Sequence, residues 1–162
     1  MMRAWFFAIA LLTMSFRATA QSPDPIESLH QQARAAVTRG TPTDLVAAID
    51  IWKRARALAR EHDDVVRETA LLNNIGVTQM RLEQPDAANA SFREALYLAR
   101  LAGNPSNELV SLYNLGRTAE LLADTTDAVA QYRLALRLLE RLPERTTIRI
   151  DIEHRLAALL AN

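Results

Sequence analysis

LLNNIGVTQMRLEQPDAANASFREALYLA, residues 71–99, and SLYNLGRTAELLADTTDAVAQYRLALRLL, residues 111–139, are one pattern written twice. The matched columns lie forty residues apart: Leu72 and Leu112, Asn74 and Asn114, Gly76 and Gly116, Ala88 and Ala128, Phe92 and Tyr132, Ala95 and Ala135. A fixed period of this size marks a stacked-repeat architecture, in which each unit buries its apolar face against the next. The pattern decides the fold class, all-α, and points to a scaffold that binds something.

Outward from this stretch the chain reads as helix throughout. Past residue 25, glycine occurs only at 40, 76, 103 and 116, and proline only at 42, 85, 105 and 143. Alanine, leucine and arginine, all good helix formers, fill the rest. Seven helices are predicted. The first runs from Ile26 to Arg39 and Gly40 ends it. Thr41, Pro42 and Asp44 start the second, as cap, first helical residue and first-turn acid. It runs to about Arg60, and Asp63 or Asp64 caps the third, which reaches about Leu82. Gln84-Pro85-Asp86 opens the fourth and Asn104-Pro105 the fifth. Asp124 to Asp127 separates the fifth from the sixth, Pro143 ends the sixth, and the seventh spans Arg145 to Ala161. Connections this short make neighbouring helices antiparallel.

Each helix carries one apolar stripe at spacings of three and four. Leu72, Ile75, Gly76, Gln79 and Leu82 form it on the third helix, and Ala88, Phe92, Ala95, Leu96 and Ala99 on the fourth. A glycine inside a helix costs about 1 kcal/mol relative to alanine. Gly76 and Gly116 therefore mark places where another helix comes very close. Phe92 and Tyr132, each framed by alanines, are knobs for such gaps.

Leu-x-x-Ile/Leu-Gly in the first helix of a pair, then Ala-x-x-x-aromatic-x-x-Ala in the second, resembles the tetratricopeptide repeat. Leu72, Ile75, Gly76, Ala88, Phe92 and Ala95 match it, as do Leu112, Leu115, Gly116, Ala128, Tyr132 and Ala135. The period of forty is longer than the family's usual one, similar to the longer-helix variety of kinesin light chains and many bacterial regulatory proteins. Ala48, Trp52 and Ala55 extend the pattern upstream, with Gln32, Ala35 and Ala36 where Leu72, Ile75 and Gly76 stand later. Ile152 and Leu156 extend it downstream, with Arg155 departing from it. The family's usual Tyr after the Gly is Gln79 or Ala119 here, and its usual closing Pro is missing at Arg100 and Glu140. The resemblance implies a helix-turn-helix repeat superhelix over residues 26–162: about three pairs plus a C-terminal capping helix.

The amino terminus reads differently. Met1-Met2-Arg3 is a short cationic start, Ala4 to Phe16 is apolar apart from Thr13 and Ser15, and Ala18-Thr19-Ala20 is a small-x-small ending. That is the three-part form of a secretory signal peptide over residues 1–20, followed by a flexible lead-in over 21–25. The run is shorter than the ~20 apolar residues of a membrane span, so no stable membrane anchor is expected after cleavage. A buried N-terminal helix is the alternative, and Pro23 and Pro25 oppose it. The expected location is the bacterial periplasm or the exterior.

Losing Arg3 and Arg17 with that segment leaves 17 basic and 19 acidic residues, a net charge of −2. Nucleic acid calls for a basic excess, so it is not an expected partner. The chain has no cysteine, hence no disulfide framework and no thiolate chemistry. His30, His62 and His154 fall in different units without the spacing of a helical zinc site. His62-Asp63-Asp64 stands where a helix cap belongs, and Glu153-His154 reads as a solvated face. No glycine-rich phosphate loop and no nucleophile elbow is present. No catalytic residue, metal or cofactor is expected.

What remains is a surface. In a helix-pair superhelix the first helices of the pairs line the concave side. Beside the core stripe they carry Asn73, Asn74, Val77, Met80 and Arg81, then Tyr113, Asn114, Arg117, Glu120 and Leu121. His30, Arg34 and Val37 precede them, and Glu153 and His154 follow. The resemblance implies that the Asn-x-Gly column, Asn74 and Asn114, faces this groove and holds the backbone of an extended peptide. A carboxamide both donates and accepts, so it can pair with a peptide unit whatever its side chain. Arg34, Arg81 and Arg117 favour an acidic or carboxylate-bearing segment. Asn73, Asn74, Arg81, Tyr113, Asn114 and Arg117 are the candidate peptide-binding residues, with a protein or extended peptide segment as partner. Two rival readings stand beside this: a sensory or adaptor module related to a larger exported peptidase-like or signalling protein, and a homodimer formed through the seventh helix.

Overall fold

The computed structural model describes residues 24–142, 144 and 146–161. The signal-peptide reading and Pro143 lie outside them. Seven helices follow in order: α1 (Pro25–Arg39), α2 (Pro42–Glu61), α3 (Val65–Arg81), α4 (Pro85–Leu101), α5 (Pro105–Leu121), α6 (Thr125–Leu139) and α7 (Thr146–Leu160). No strand occurs among the described residues. Sequential helices pack against one another, and the whole is an all-α helical repeat.

The helix starts recur with the period. Asp24, Asp64 and Asn104 cap α1, α3 and α5, accepting from the backbone N–H of Ile26, Arg67 and Asn107. Each satisfies one of the donors that a helix leaves free at its start. Thr41 and Asp124 do the same for α2 and α6, while Gln84 makes no side-chain cap to α4. Asp44 is held below the usual carboxylate range by hydrogen bonds from Thr41 and from Arg39, which outweigh its burial. Of the two candidate caps before α3, Asp64 takes the role, and Asp63 turns the chain in the left-handed region at φ 53°. α6 stops at Leu139, short of the Pro143 boundary, because Arg141 N–H and Leu142 N–H bond back to Leu138 and Leu139 and tighten the chain into a turn.

Small columns admit large ones. A Cβ built on Gly76 would lie 2.5 Å from the Phe92 ring, and one on Gly116 would collide with the Tyr132 ring in the same way. Phe92 and Tyr132 are fully buried, as are Ala88, Ala95, Ala128 and Ala135 beside them. Gly76 and Gly116 therefore accept their propensity cost so that an aromatic ring can press against the helix backbone. The core has three parts. One joins α1, α2 and α3 around Trp52, and another joins α5, α6 and α7 around Tyr132. A small cluster of Ala88, Phe92 and Leu115 lies between them.

Ion pairs brace the junctions. Arg60 meets Glu68 at 2.6 Å, and forty residues on Arg100 meets Glu108 at 2.8 Å. Arg56 also reaches Glu68, at 3.0 Å, and pairs with Glu94 on α4. Arg60 and Arg100 are largely exposed, so solvent screens their charges.

Candidate binding face

The odd-numbered helices form an inner layer. α3 touches α5 directly, and side chains cross the seam. Asn107 Nδ2 donates to Val66 O at 3.1 Å, Ser111 Oγ donates to Asn73 Oδ1 at 3.2 Å, and Thr118 Oγ1 lies 3.5 Å from Met80 Sδ. α1 and α3 are tied at one end by Arg67 and Asp24, and at the other by Arg81 Nη1 donating to Val37 O at 3.1 Å. The outer helices α4 and α6 are bridged by long side chains, Arg93 and Asp127, at 3.3 Å. Close approach on one side and long reach on the other curves such a stack, so the inner layer lines the concave face.

Asn73 is not on that face. It is 5% exposed inside the α3–α5 seam, with Oδ1 on Ser111 and Nδ2 buried without a partner. Tyr113 occupies the same column one repeat later and makes the same kind of contact. Its hydroxyl donates to Asp151 Oδ2 on α7 at 2.7 Å. Burial, then this hydrogen bond, raise the Tyr113 hydroxyl above its ordinary value. Arg117 lies over the Tyr113 ring, 5.7 Å from its centroid, at cation–π distance.

Asn74 is half-buried and Asn114 is 4% exposed. Their carbonyls accept the hydroxyls of Thr78 and Thr118, at 2.9 and 2.8 Å. Their side-chain amides have no hydrogen-bond partner among the described residues, yet neither is sealed from solvent. Val66, Val77, Leu121 and Ile150 stand exposed on the same inner helices. Thus α5 brings Tyr113, Asn114 and Arg117 together, with Asn74 in the equivalent place on α3. Arg81 is set apart at the C-terminal end of α3, where it holds an α1 carbonyl.

A polar network that the residue pattern did not single out joins α5, α6 and α7. Tyr132 OH donates to Glu120. Arg155 reaches Glu120 at 3.2 Å and Asp151 at 2.7 Å. Burial and the Glu120 contact push the Tyr132 hydroxyl far up. Hydrogen bonds from Tyr113 and Arg155 hold Asp151 below the usual carboxylate range. Burial opposes the Arg155 charge, but Asp151, Tyr132 and Glu120 together hold its pKa above the ordinary value. Arg155 departs from the apolar column of Ile75 and Leu115, Tyr132 carries a hydroxyl where Phe92 does not, and both departures meet at Glu120. Those departures were the available signal.

Among the described residues no group of three His, Asp or Glu side chains could hold a metal ion. His62 sits at the α2 C-terminus and Asp64 is committed to the α3 cap. No described helix is long and apolar enough to cross a membrane.

No curated protein matches the chain. Residues 67–141, which span nearly all of α3 and all of α4, α5 and α6, match the model of the tetratricopeptide repeat. Through these two helix pairs, with their Gly76–Phe92 and Gly116–Tyr132 interlocks, residues 67–141 belong to the tetratricopeptide repeat family.

Proposed function

We propose that the chain is an exported, non-catalytic adaptor that holds an extended protein segment along its concave face. Tetratricopeptide repeats are protein–protein interaction scaffolds. The observation that carries the groove reading is the pair of amides, Asn74 and Asn114, recurring at the repeat period and unpaired within the fold among the described residues. Each can give a donor and an acceptor to a passing peptide backbone. Asn74, the more open of the two, is the stronger handle. Val77 and Leu121 offer shallow apolar contacts. Arg117, whose charge reaches Asp151 without an ion pair among the described residues, is the cation for a ligand carboxylate, and Arg81 is engaged with α1. Affinity is modest, since ordering a flexible segment offsets much of the contact energy.

The test is a pulldown from periplasmic extract with the parent and with an Asn74→Ala, Asn114→Ala double variant that keeps its helical circular dichroism. Partners that the parent retains and the variant loses support the groove. Equal recovery of every partner removes it. Export is tested separately by mass spectrometry, which should find a chain beginning at Gln21; an intact Met1 or Met2 in the envelope fraction contradicts it.

A further inference from the structure

The outer layer carries a second surface. Lys53, Arg93 and Arg133 occupy one column of the even-numbered helices, forty residues apart. Lys53 has Asp50 at 3.7 Å and Arg93 has Asp127 at 3.3 Å. Arg133 has no acid partner among the described residues, and neither have Arg137 and Arg141, which follow at four-residue spacing, the last in the turn after α6. All three are exposed. Arg133 and Arg137, four apart on α6, repel each other, and Arg141 continues the line past exposed Glu140. At the matching register on α4, one repeat earlier, stand Tyr97 and Leu101. They are 66% and 68% exposed, the highest values among the large hydrophobics of the described residues. Four residues apart, they share one face of α4.

We infer that this outer face of α4 and α6 docks an acidic amphipathic helix of a protein partner. Its carboxylates meet Arg133, Arg137 and Arg141, and its apolar side chains cover Tyr97 and Leu101. Charge complementarity and spacing carry the assignment. A helix places carboxylates on every fourth residue at the same rise as Arg133 and Arg137, and a guanidinium pairs with a carboxylate through two parallel hydrogen bonds. An apolar doublet beside the cationic line suits a helix with two adjoining stripes. The whole chain carries a formal charge of zero, so attraction comes from local placement rather than from overall charge.

The probe is a fluorescein-labelled synthetic helical peptide with glutamate at every fourth position and leucines on the adjoining stripe, followed by anisotropy. Expected are binding by the parent that weakens with salt and a loss of roughly tenfold or more in the Arg133→Glu, Arg137→Glu, Arg141→Glu variant. The same peptide with lysine for glutamate should bind that variant. Tyr97→Ser with Leu101→Ser should weaken binding independently, and Asn74→Ala with Asn114→Ala should leave it unchanged, which separates this face from the groove. Three results overturn the inference: no binding by the parent, equal binding by parent and triple variant, or binding of phosphatidylglycerol vesicles without binding of the peptide. Where the triple variant melts below the parent, Tyr97→Ser with Leu101→Ser carries the test, and undiminished binding by that variant overturns the inference.

Discussion

Gly76 shows how far one residue can be read. Its presence inside α3 is unfavourable on propensity alone, and the Phe92 ring lying where a Cβ would stand supplies the reason. Gly76→Ala gains about 1 kcal/mol of helix propensity and meets an overpacking cost of roughly 1–3 kcal/mol against a fully buried ring. The expected net result is destabilisation in a urea melt, partly recovered when Phe92→Leu is added, because the two sites share one space. A variant as stable as the parent would show that the ring can slide aside. The Gly and aromatic columns were legible in the sequence because each is costly without the other. The seam was not. A helical wheel sets Asn73 and Asn74 about 100° apart, on opposite edges of the apolar stripe, but the pitch of the stack decides which one faces the next inner helix. It buries Asn73 against Ser111 and leaves Asn74 half-open. Residue spacing carries no information on that pitch.

At the scale of the element, the three contacts between successive inner helices change character along the chain. Ala33 and Leu71 belong to one apolar cluster, Asn73 meets Ser111, and Tyr113 meets Asp151. α7 is therefore held by charge as well as by Ile152 and Leu156. Its pH dependence follows from Asp151, whose folded pKa lies below the ordinary 3.8. A lowered carboxyl stabilises the fold fully above the unfolded value, and that stabilisation fades as pH falls through the lowered one. Tyr113 acts at the other end: its raised folded value means stability present below about 10 and lost as pH rises further. Asp151 is 41% exposed on its side chain, so Asp151→Asn should cost at most about 1 kcal/mol. Hydrogen-exchange protection factors over residues 146–160 should drop in acid in the parent, ahead of those of α3 and α4. They should be lower and nearly independent of acid pH in Asp151→Asn. Protection in α7 that tracks α3 at every pH would mean that the apolar contacts alone hold it. Helix number and order were plain from proline, glycine and cap residues. The α6 terminus was not, since its last turn is closed by backbone bonds that no side chain announces.

The whole molecule is two cores and a joint. The first core runs from Ile26 to Ile75 and the last from Leu109 to Leu156, with Ala88, Phe92 and Leu115 between them. Leu96 and Met80 pack against this joint from its edges, and Leu96 also touches the last core; the links Asn73 to Ser111, Asn107 to Val66 and Arg100 to Glu108 are polar. Hydrogen bonds and partly exposed ion pairs of this kind each contribute about 1 kcal/mol or less, whereas removing a fully buried phenylalanine ring costs about 3–5 kcal/mol. In a stack where each unit contacts its neighbours alone, cooperativity depends on the interface energies. Phe92→Ala should thus do more than lower stability: it should uncouple the ends. In a Trp5→Phe background, Trp52 in α2 reports on the first core, and far-UV circular dichroism reports on every helix. The parent should show one urea transition with both probes coincident. In Phe92→Ala the two should separate, each with a smaller m-value, because each then exposes less surface on unfolding. Coincident transitions at a lower midpoint and unchanged m-value would place the coupling in the polar α3–α5 seam instead, and the buried Asn73 would then be the residue to remove next.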